Sequence, residues 1–388
     1  MMKGLVRAGL LAALLPLASC DTLKSTYNSW FGAPTPANKP AALLPIAKAV
    51  NTRLVWRAAL PGAGKSVLFP AVAGNVALVA SGNGLITGFN AVSGAQTARF
   101  ETKQMISSGI AANATTVVVG TVRGELMAHD VTGKPLWKVQ APGELLAPPV
   151  IDLDKVVVRV GDGAVHAYDL ASGKRRWVYQ RSAPPLTVRS HAGILVDRGT
   201  VYAGFAGGRL VALTAVGGTL LWDSVVSLPK GTTELDRVAD IASPPVVDDG
   251  RACAATYQGR TACFDSSRGA AIWARDISSY SGIAADFRNI YITDDKNAVM
   301  SLDKSTGGTL WRQDKLAGRA LTRPLAFGRY IIVGDFEGYV HLLSRDDGAM
   351  LARIATDGSA IAAPPVALDL TTFLVQTRNG GVFALSAE

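Results

Sequence analysis

Catalytic equipment is what this 388-residue chain has least of. It holds three cysteines and four histidines, and only 18% of its residues are charged. No two cysteines are adjacent, and none stands near histidines at metal-ligand spacing. His129, His166, His191 and His341 are scattered over separate stretches and are expected to be satisfied surface or strand residues. Helical periodicity is missing throughout. The one N-terminal apolar run, from Gly9 to Leu17, is too short for a membrane span, which needs about 18 residues or more. A basic block interleaved with aromatics is also missing, so the net charge of +9 is no argument for nucleic acid. Gly62-Ala63-Gly64-Lys65-Ser66 resembles the tail of a phosphate-binding loop, but Ala59 stands where its first glycine belongs. These absences leave no catalytic residue, no metal site and no cofactor to expect.

What the chain has in quantity is one phrase, roughly Gly-x-Leu-x-Ala-x-Asp-x-x-Ser/Thr-Gly-x-x-x-Trp. The clearest copies run from Gly124 to Trp137 and from Gly163 to Trp177. Trp56, Trp137, Trp177, Trp222, Trp273 and Trp311 share one phase, with Ala98 and Ala352 in the tryptophan place of two weaker copies. A period near 40 residues means a solenoid, a propeller or an array. Each period holds β-branched runs such as Val117-Val118-Val119 and Ile331-Ile332-Val333, a glycine-centred turn, an alternating strand and the tryptophan strand. Four short strands per unit make a propeller blade. Pro148-Pro149, Pro244-Pro245 and Pro364-Pro365 fall where blades begin, a place where a missing N–H costs no ladder bond. Asp130, Asp169, Asp265 and Asp303 open the turns before the tryptophan strands, where an Asp side chain accepts backbone hydrogen bonds.

The two ends give a second count. Gly380-Gly381-Val382-Phe383-Ala384-Leu385 begins a phrase that the C-terminus leaves unfinished, and the strand around Trp56 completes it. The fold expected is all-β: an eight-bladed β-propeller of four-stranded antiparallel blades over residues 49–388. The N-terminal strand closes the ring in the last blade, which removes an open edge.

Ahead of the propeller, residues 1–19 read as a secretory signal peptide, with Lys3 and Arg7 before the apolar run. Leu17-Ala18-Ser19-Cys20 resembles the bacterial lipobox, whose cysteine becomes the acylated first residue of the mature protein. Cys20 is thus the expected lipid anchor, and loss of Lys3 and Arg7 takes the net charge from +9 to +7. Residues 20–48 carry Pro34, Pro36, Pro40 and Pro45 and read as a flexible tether. Cys253 and Cys263 flank the turn Tyr257-Gln258-Gly259-Arg260; in an oxidising compartment they form a cross-strand disulfide, or else they are two small buried side chains.

The repeat phrase resembles the tryptophan-docking repeats of pyrroloquinoline-quinone dehydrogenases. In those propellers each indole stacks on the next blade near a glycine. The dehydrogenases also carry adjacent cysteines and calcium ligands, which this chain lacks, so the resemblance is architectural.

A lipobox, a Pro-rich tether and one tryptophan-docked propeller together resemble the BamB family, lipoproteins of the outer-membrane β-barrel assembly (BAM) machinery. The resemblance covers the whole chain. It is sharpest in Leu186-Thr187-Val188-Arg189 and in Gly231-Thr232-Thr233-Glu234-Leu235-Asp236-Arg237-Val238-Ala239-Asp240, where the period stretches to 45 and 51 residues. It implies a non-catalytic scaffold that docks on the POTRA domains of BamA, beside other BAM components, and helps insert nascent outer-membrane proteins. It implies partner contacts from Leu186, Val188, Arg189 and Asp240, with Glu234, Asp236 and Arg237 in a supporting loop. The family's Asp-x-Asp becomes Asp240-Ile241-Ala242 here, so the second carboxylate is missing. The chain is expected to be a monomer within a hetero-complex, held by its lipid on the periplasmic face of the outer membrane. Asp21, by analogy with enteric lipoprotein sorting, is instead a signal for inner-membrane retention. A periplasmic propeller that binds glycan or a small ligand in its central channel is the alternative, with a quinone-dependent relative behind it. In the channel case aromatic and polar residues should converge at one mouth.

Overall fold

The computed structural model describes residues 39–46 and 50–387. The signal peptide, Cys20, Asp21 and most of the expected tether lie outside the described residues.

Eight separate four-stranded antiparallel sheets make up the fold, and the described residues contain no helix. Blade 1 spans residues 71–101, blade 2 residues 106–140, blade 3 residues 150–179 and blade 4 residues 194–225. Blade 5 covers 246–275, blade 6 covers 282–313 and blade 7 covers 325–355. Blade 8 joins residues 366–387 to the N-terminal strand Thr52–Ala59, which pairs antiparallel with Gly381–Ala387. The ring is therefore closed by both ends of the chain, as the unfinished phrase at Gly380 implied.

Second strands such as Thr116–Thr121 and Tyr330–Gly334 are buried along their whole length, because a neighbouring blade covers each face. This is why they read as continuous apolar runs rather than alternating ones. Outer strands keep one face wet, so Arg175–Tyr179 buries only Trp177 fully.

The repeat phrase now has a physical meaning. Each of the six tryptophans of the repeat lies opposite a small residue of the third strand: Trp137 faces Ala128, Trp177 faces Ala167, Trp222 faces Ala212, Trp273 faces Cys263, Trp311 faces Ser301 and Trp56 faces Ala384. The small neighbour leaves room for the indole to lean onto the following blade. There its ring covers the glycine of the turn between third and fourth strands; a Cβ on Gly173, where φ is +69°, would lie 2.7 Å from Trp137. Each indole N–H then donates to a backbone carbonyl of the next blade at 2.7–3.1 Å, from Trp56 onto Ala91 through to Trp311 onto Arg345. The two exceptions are explained locally. Ala98 is replaced by Phe100, whose ring sits against Gly133. Ala352 faces blade 8, where the third and fourth strands come from opposite chain ends and no such turn exists.

Antiparallel order fixes the two faces. Turns between second and third strands share one face with the blade-to-blade connections, and the other turns lie on the opposite face. Residues 180–193 and 226–245, the longest blade-to-blade connections, thus emerge on the same side.

The last part of the expected tether is not free. Ala41 donates its N–H to Ala317 at 2.9 Å, Arg319 donates to the Ala41 carbonyl at 3.2 Å, and Arg353 to that of Leu44 at 3.1 Å. Leu43 packs on the cluster around Tyr291 and Trp311. Two arginines and one leucine, none obvious as partners in the sequence, place residues 41–44 on the propeller rather than in the linker.

His129, His166 and His341 lie in strands and His191 in a connection, but not all are satisfied as expected. His129 and His166 are buried with ring nitrogens that find no partner, and burial lowers their pKa values. His341 is fully buried and hydrogen-bonded to Asp335 at 2.9 Å.

Candidate functional site

Two loops meet on the connection face. The first, 180–193, begins after the outer strand of blade 3 and carries Leu186, 48% exposed, at its crest. Arg189 is exposed beside it, and Val188 is half-buried. The second, 226–245, carries Leu228 and Leu235, both well exposed.

Asp240 joins the loops from beneath. One carboxylate oxygen accepts the Val188 N–H at 2.7 Å and the other accepts the Gly207 N–H at 2.9 Å. Its side chain is buried, and its two hydrogen bonds fix the backbone shape of the first loop. Neighbouring Ile241 locks the same end of the second loop, its side chain filling the place a Cβ on Gly204 would need. Asp240→Ala is expected to strip two part-buried N–H groups of their acceptor, at up to about 1–3 kcal/mol for each group that water does not reach. Urea unfolding should register the loss, and amide exchange at Val188 and Gly207 should accelerate; unchanged exchange there contradicts the clasp.

Arg189 is held loosely. Its Nε–H donates to Glu144 at 3.1 Å, but both side chains are exposed, at 63% and 40%, and such surface pairs contribute about 0–1 kcal/mol. A partner carboxylate or carbonyl can therefore take the guanidinium over at little cost. Tyr280 donates its hydroxyl to the Arg189 carbonyl at 3.3 Å, which steadies the backbone without engaging the side chain.

The supporting residues fold their own loop. Asp236 accepts the Thr233 hydroxyl at 2.7 Å and the Thr233 N–H at 3.2 Å. That loop-internal bonding, led by the Thr233 hydroxyl, holds the Asp236 carboxyl below its usual range. Arg237 pairs with Glu234 at 3.3 Å and donates to the Gly231 carbonyl. None of the three reaches the first loop.

Between the loops lies a pocket of about 250 Å³ lined by Glu144, Arg159, Asp162, Arg181, Val188 and Asp240 among others. Sequence reasoning missed it. The available signal was Arg159, a charge that interrupts Val156-Val157-Val158 and Val160. Burial pushes its pKa down to about 10, and its Nε has no partner.

Cys253 and Cys263 are direct cross-strand partners with Cα atoms 4.1 Å apart, joined as a disulfide. They belong to the core beneath Trp273, away from both loops. Asp130, Asp169, Asp265 and Asp303 each accept N–H groups of their own turns. Among the described residues no group of three His, Cys, Asp or Glu side chains is placed to hold a metal ion.

The closed ring, its indole docks and the loop-borne face define a tryptophan-docked eight-bladed propeller. A family model described as outer membrane protein assembly factor BamB matches residues 82–313 and 295–388. The chain belongs to this family. It is 37% identical to the outer membrane protein assembly factor BamB of Burkholderia pseudomallei over 373 residues, 96% of this chain and 95% of the relative. Among solved structures, BamB from Moraxella catarrhalis superposes with a TM-score of 0.80 at 29% identity, covering 87% of this chain and 100% of that one. The quinohemoprotein alcohol dehydrogenase of Comamonas testosteroni reaches a TM-score of 0.71 at 13% identity, over 86% of this chain and 76% of the enzyme. At that identity the likeness is one of fold alone.

Proposed function

We propose that this protein is a non-catalytic scaffold lipoprotein of the outer-membrane β-barrel assembly machinery. Anchored through Cys20 on the periplasmic face of the outer membrane, it docks on the POTRA domains of BamA and assists insertion of β-barrel proteins. The contact surface is the first long loop: Leu186 supplies apolar area, Arg189 supplies a planar fork of donors, and Val188 sets their spacing. The observation that carries this reading is the combination of exposed anchors with a rigid base. Asp240 holds the loop backbone from below, so Leu186 and Arg189 are presented with little ordering left to lose on binding.

Arg and large apolar side chains at the centre of a patch are common interface anchors. Arg189→Ala is therefore expected to weaken co-purification with BamA by roughly tenfold or more, about 1.4 kcal/mol or more in binding. Its thermal unfolding midpoint should stay within about a degree or two of the parent, because an exposed pair is all it loses. Undiminished co-purification from Arg189→Ala contradicts the assignment.

A further inference from the structure

The residue two places before an inner strand marks the same spot in several blades. Phe69, Pro244, Arg323 and Pro364 hold that place ahead of Ala71–Ala73, Val246–Asp248, Leu325–Phe327 and Val366–Ala367. All four line one cavity of about 480 Å³, to which blades 1, 4, 5, 6, 7 and 8 contribute, so the cavity is the mouth of the axial channel. It opens on the face that carries the long loops.

Its wall is aromatic on two sides. Phe69 and His191 lie with ring centroids 6.0 Å apart, and Tyr257 meets Tyr280 edge-on at 6.2 Å. The acids of the cavity are already engaged. Asp294 pairs with Arg312 at 3.0 Å, and Asp295 accepts the Tyr280 N–H at 2.7 Å as well as the Ser278 hydroxyl. Arg323 is different. Among the described residues it has no hydrogen bond and no ion pair, and burial alone bears on its pKa, pushing it down. Arg323 is part-buried and its unpartnered guanidinium is open to the cavity, where a carboxylate meets it with two oxygens in matching fork geometry.

We propose that the axial cavity binds a small organic carboxylate, its anionic group on Arg323 and an apolar or aromatic body against Phe69, Tyr257 and Tyr280. The volume lies in the range of small-ligand sites, about 300–1,000 Å³, and the lining has the usual mix of apolar walls and few polar groups. The recess is lined by the connections and turns that gather at the channel mouth. This site does not depend on the loop docking described above.

The test is calorimetric titration of the purified full-length protein with benzoate, with its neutral counterpart benzyl alcohol, and with inorganic phosphate. Benzoate should bind, and benzyl alcohol should bind at least about tenfold more weakly, the effect of one charge-assisted hydrogen-bonded pair. Inorganic phosphate, which lacks the body, should bind more weakly than benzoate. Arg323→Gln should lower benzoate affinity by about tenfold, and Tyr280→Ala should lower the affinity for both aromatic probes together. Each variant's unfolding midpoint is measured alongside; should Arg323→Gln fail to fold, Tyr280→Ala and the two aromatic probes still decide. No binding of benzoate, equal binding of benzyl alcohol, or benzoate binding unchanged in Arg323→Gln overturns the proposal.

Discussion

Trp273→Ala is expected to lower the unfolding free energy by about 3–5 kcal/mol, the usual cost of removing a large buried aromatic ring. The indole is 6% exposed and lies over Gly307, where a Cβ would sit 2.6 Å from the ring. Its Nε1–H donates to the Lys304 carbonyl at 2.9 Å. Truncation therefore opens a cavity between blades 5 and 6 and leaves a carbonyl of blade 6 without its donor. Gly307→Val attacks the same dock from the other side, because φ is +70° and the added methyls collide with the indole. If the dock is one unit, the double variant loses much less than the two single losses added together. Urea unfolding of the four proteins checks this, and a Trp273→Ala loss below about 1 kcal/mol contradicts the role given to the repeat phrase.

Asp335→Ala should be comparably damaging, for an electrostatic reason. The carboxylate is fully buried and accepts from Arg319 Nε at 2.7 Å, from the Glu337 and Tyr339 N–H groups at 2.9 Å, and bonds His341 Nε2 at 2.9 Å. Arg319 is itself nearly buried, with Phe336 5.3 Å from its guanidinium carbon. Arg319 keeps the Glu337 carboxylate, but Asp335→Ala strips Arg319 Nε, His341 and two N–H groups of their shared acceptor, at about 1–3 kcal/mol for each group left unpaired. Burial pushes the Asp335 carboxyl up, but His341, the Tyr339 N–H and Arg319 outweigh it and hold the pKa below the ordinary 3.8. The sign follows: the stabilisation is present in full above the unfolded value and is lost as pH falls through the lower folded one. The difference between parent and Asp335→Asn should thus be full at neutral pH and close on acidification below about 4. A difference that stays constant across that range contradicts an ionised Asp335. Because Arg319 also holds the Ala41 carbonyl, both variants should expose residues 41–46 to proteolysis.

The ring was legible in the sequence because its closure needs the same three things in nearly every blade. An indole, a small residue opposite it and a glycine in the next turn recur at fixed spacing, so six tryptophans counted most of the interfaces. The gaps at Ala98 and Ala352 were legible as gaps, but not their causes, which lie in Phe100 and in the split construction of blade 8. Asp240 shows where reading residues one at a time stops. The family resemblance implied a partner contact there, whereas the carboxylate is bonded to the N–H of Val188, 52 positions away, and no local spacing carries that pairing. The same holds for Arg319, which is joined to Asp335 and Glu337 in one turn and to Ala41, 278 positions away. Arg323 was open to reading: it precedes Pro324 at the place where Pro244 and Pro364 stand in other blades, and a charge in a channel-lining position is out of pattern.

Docking through the first long loop is tested most directly by a photo-crosslinking residue placed at position 186 in intact cells, with a second at Val131. Val131 is 41% exposed in a turn on the opposite face of the ring. Irradiation at position 186 should attach BamA through its POTRA domains, and irradiation at 131 should not. A BamA adduct from 131 with none from 186 would place the contact on the wrong face and remove the basis for the loop as docking surface.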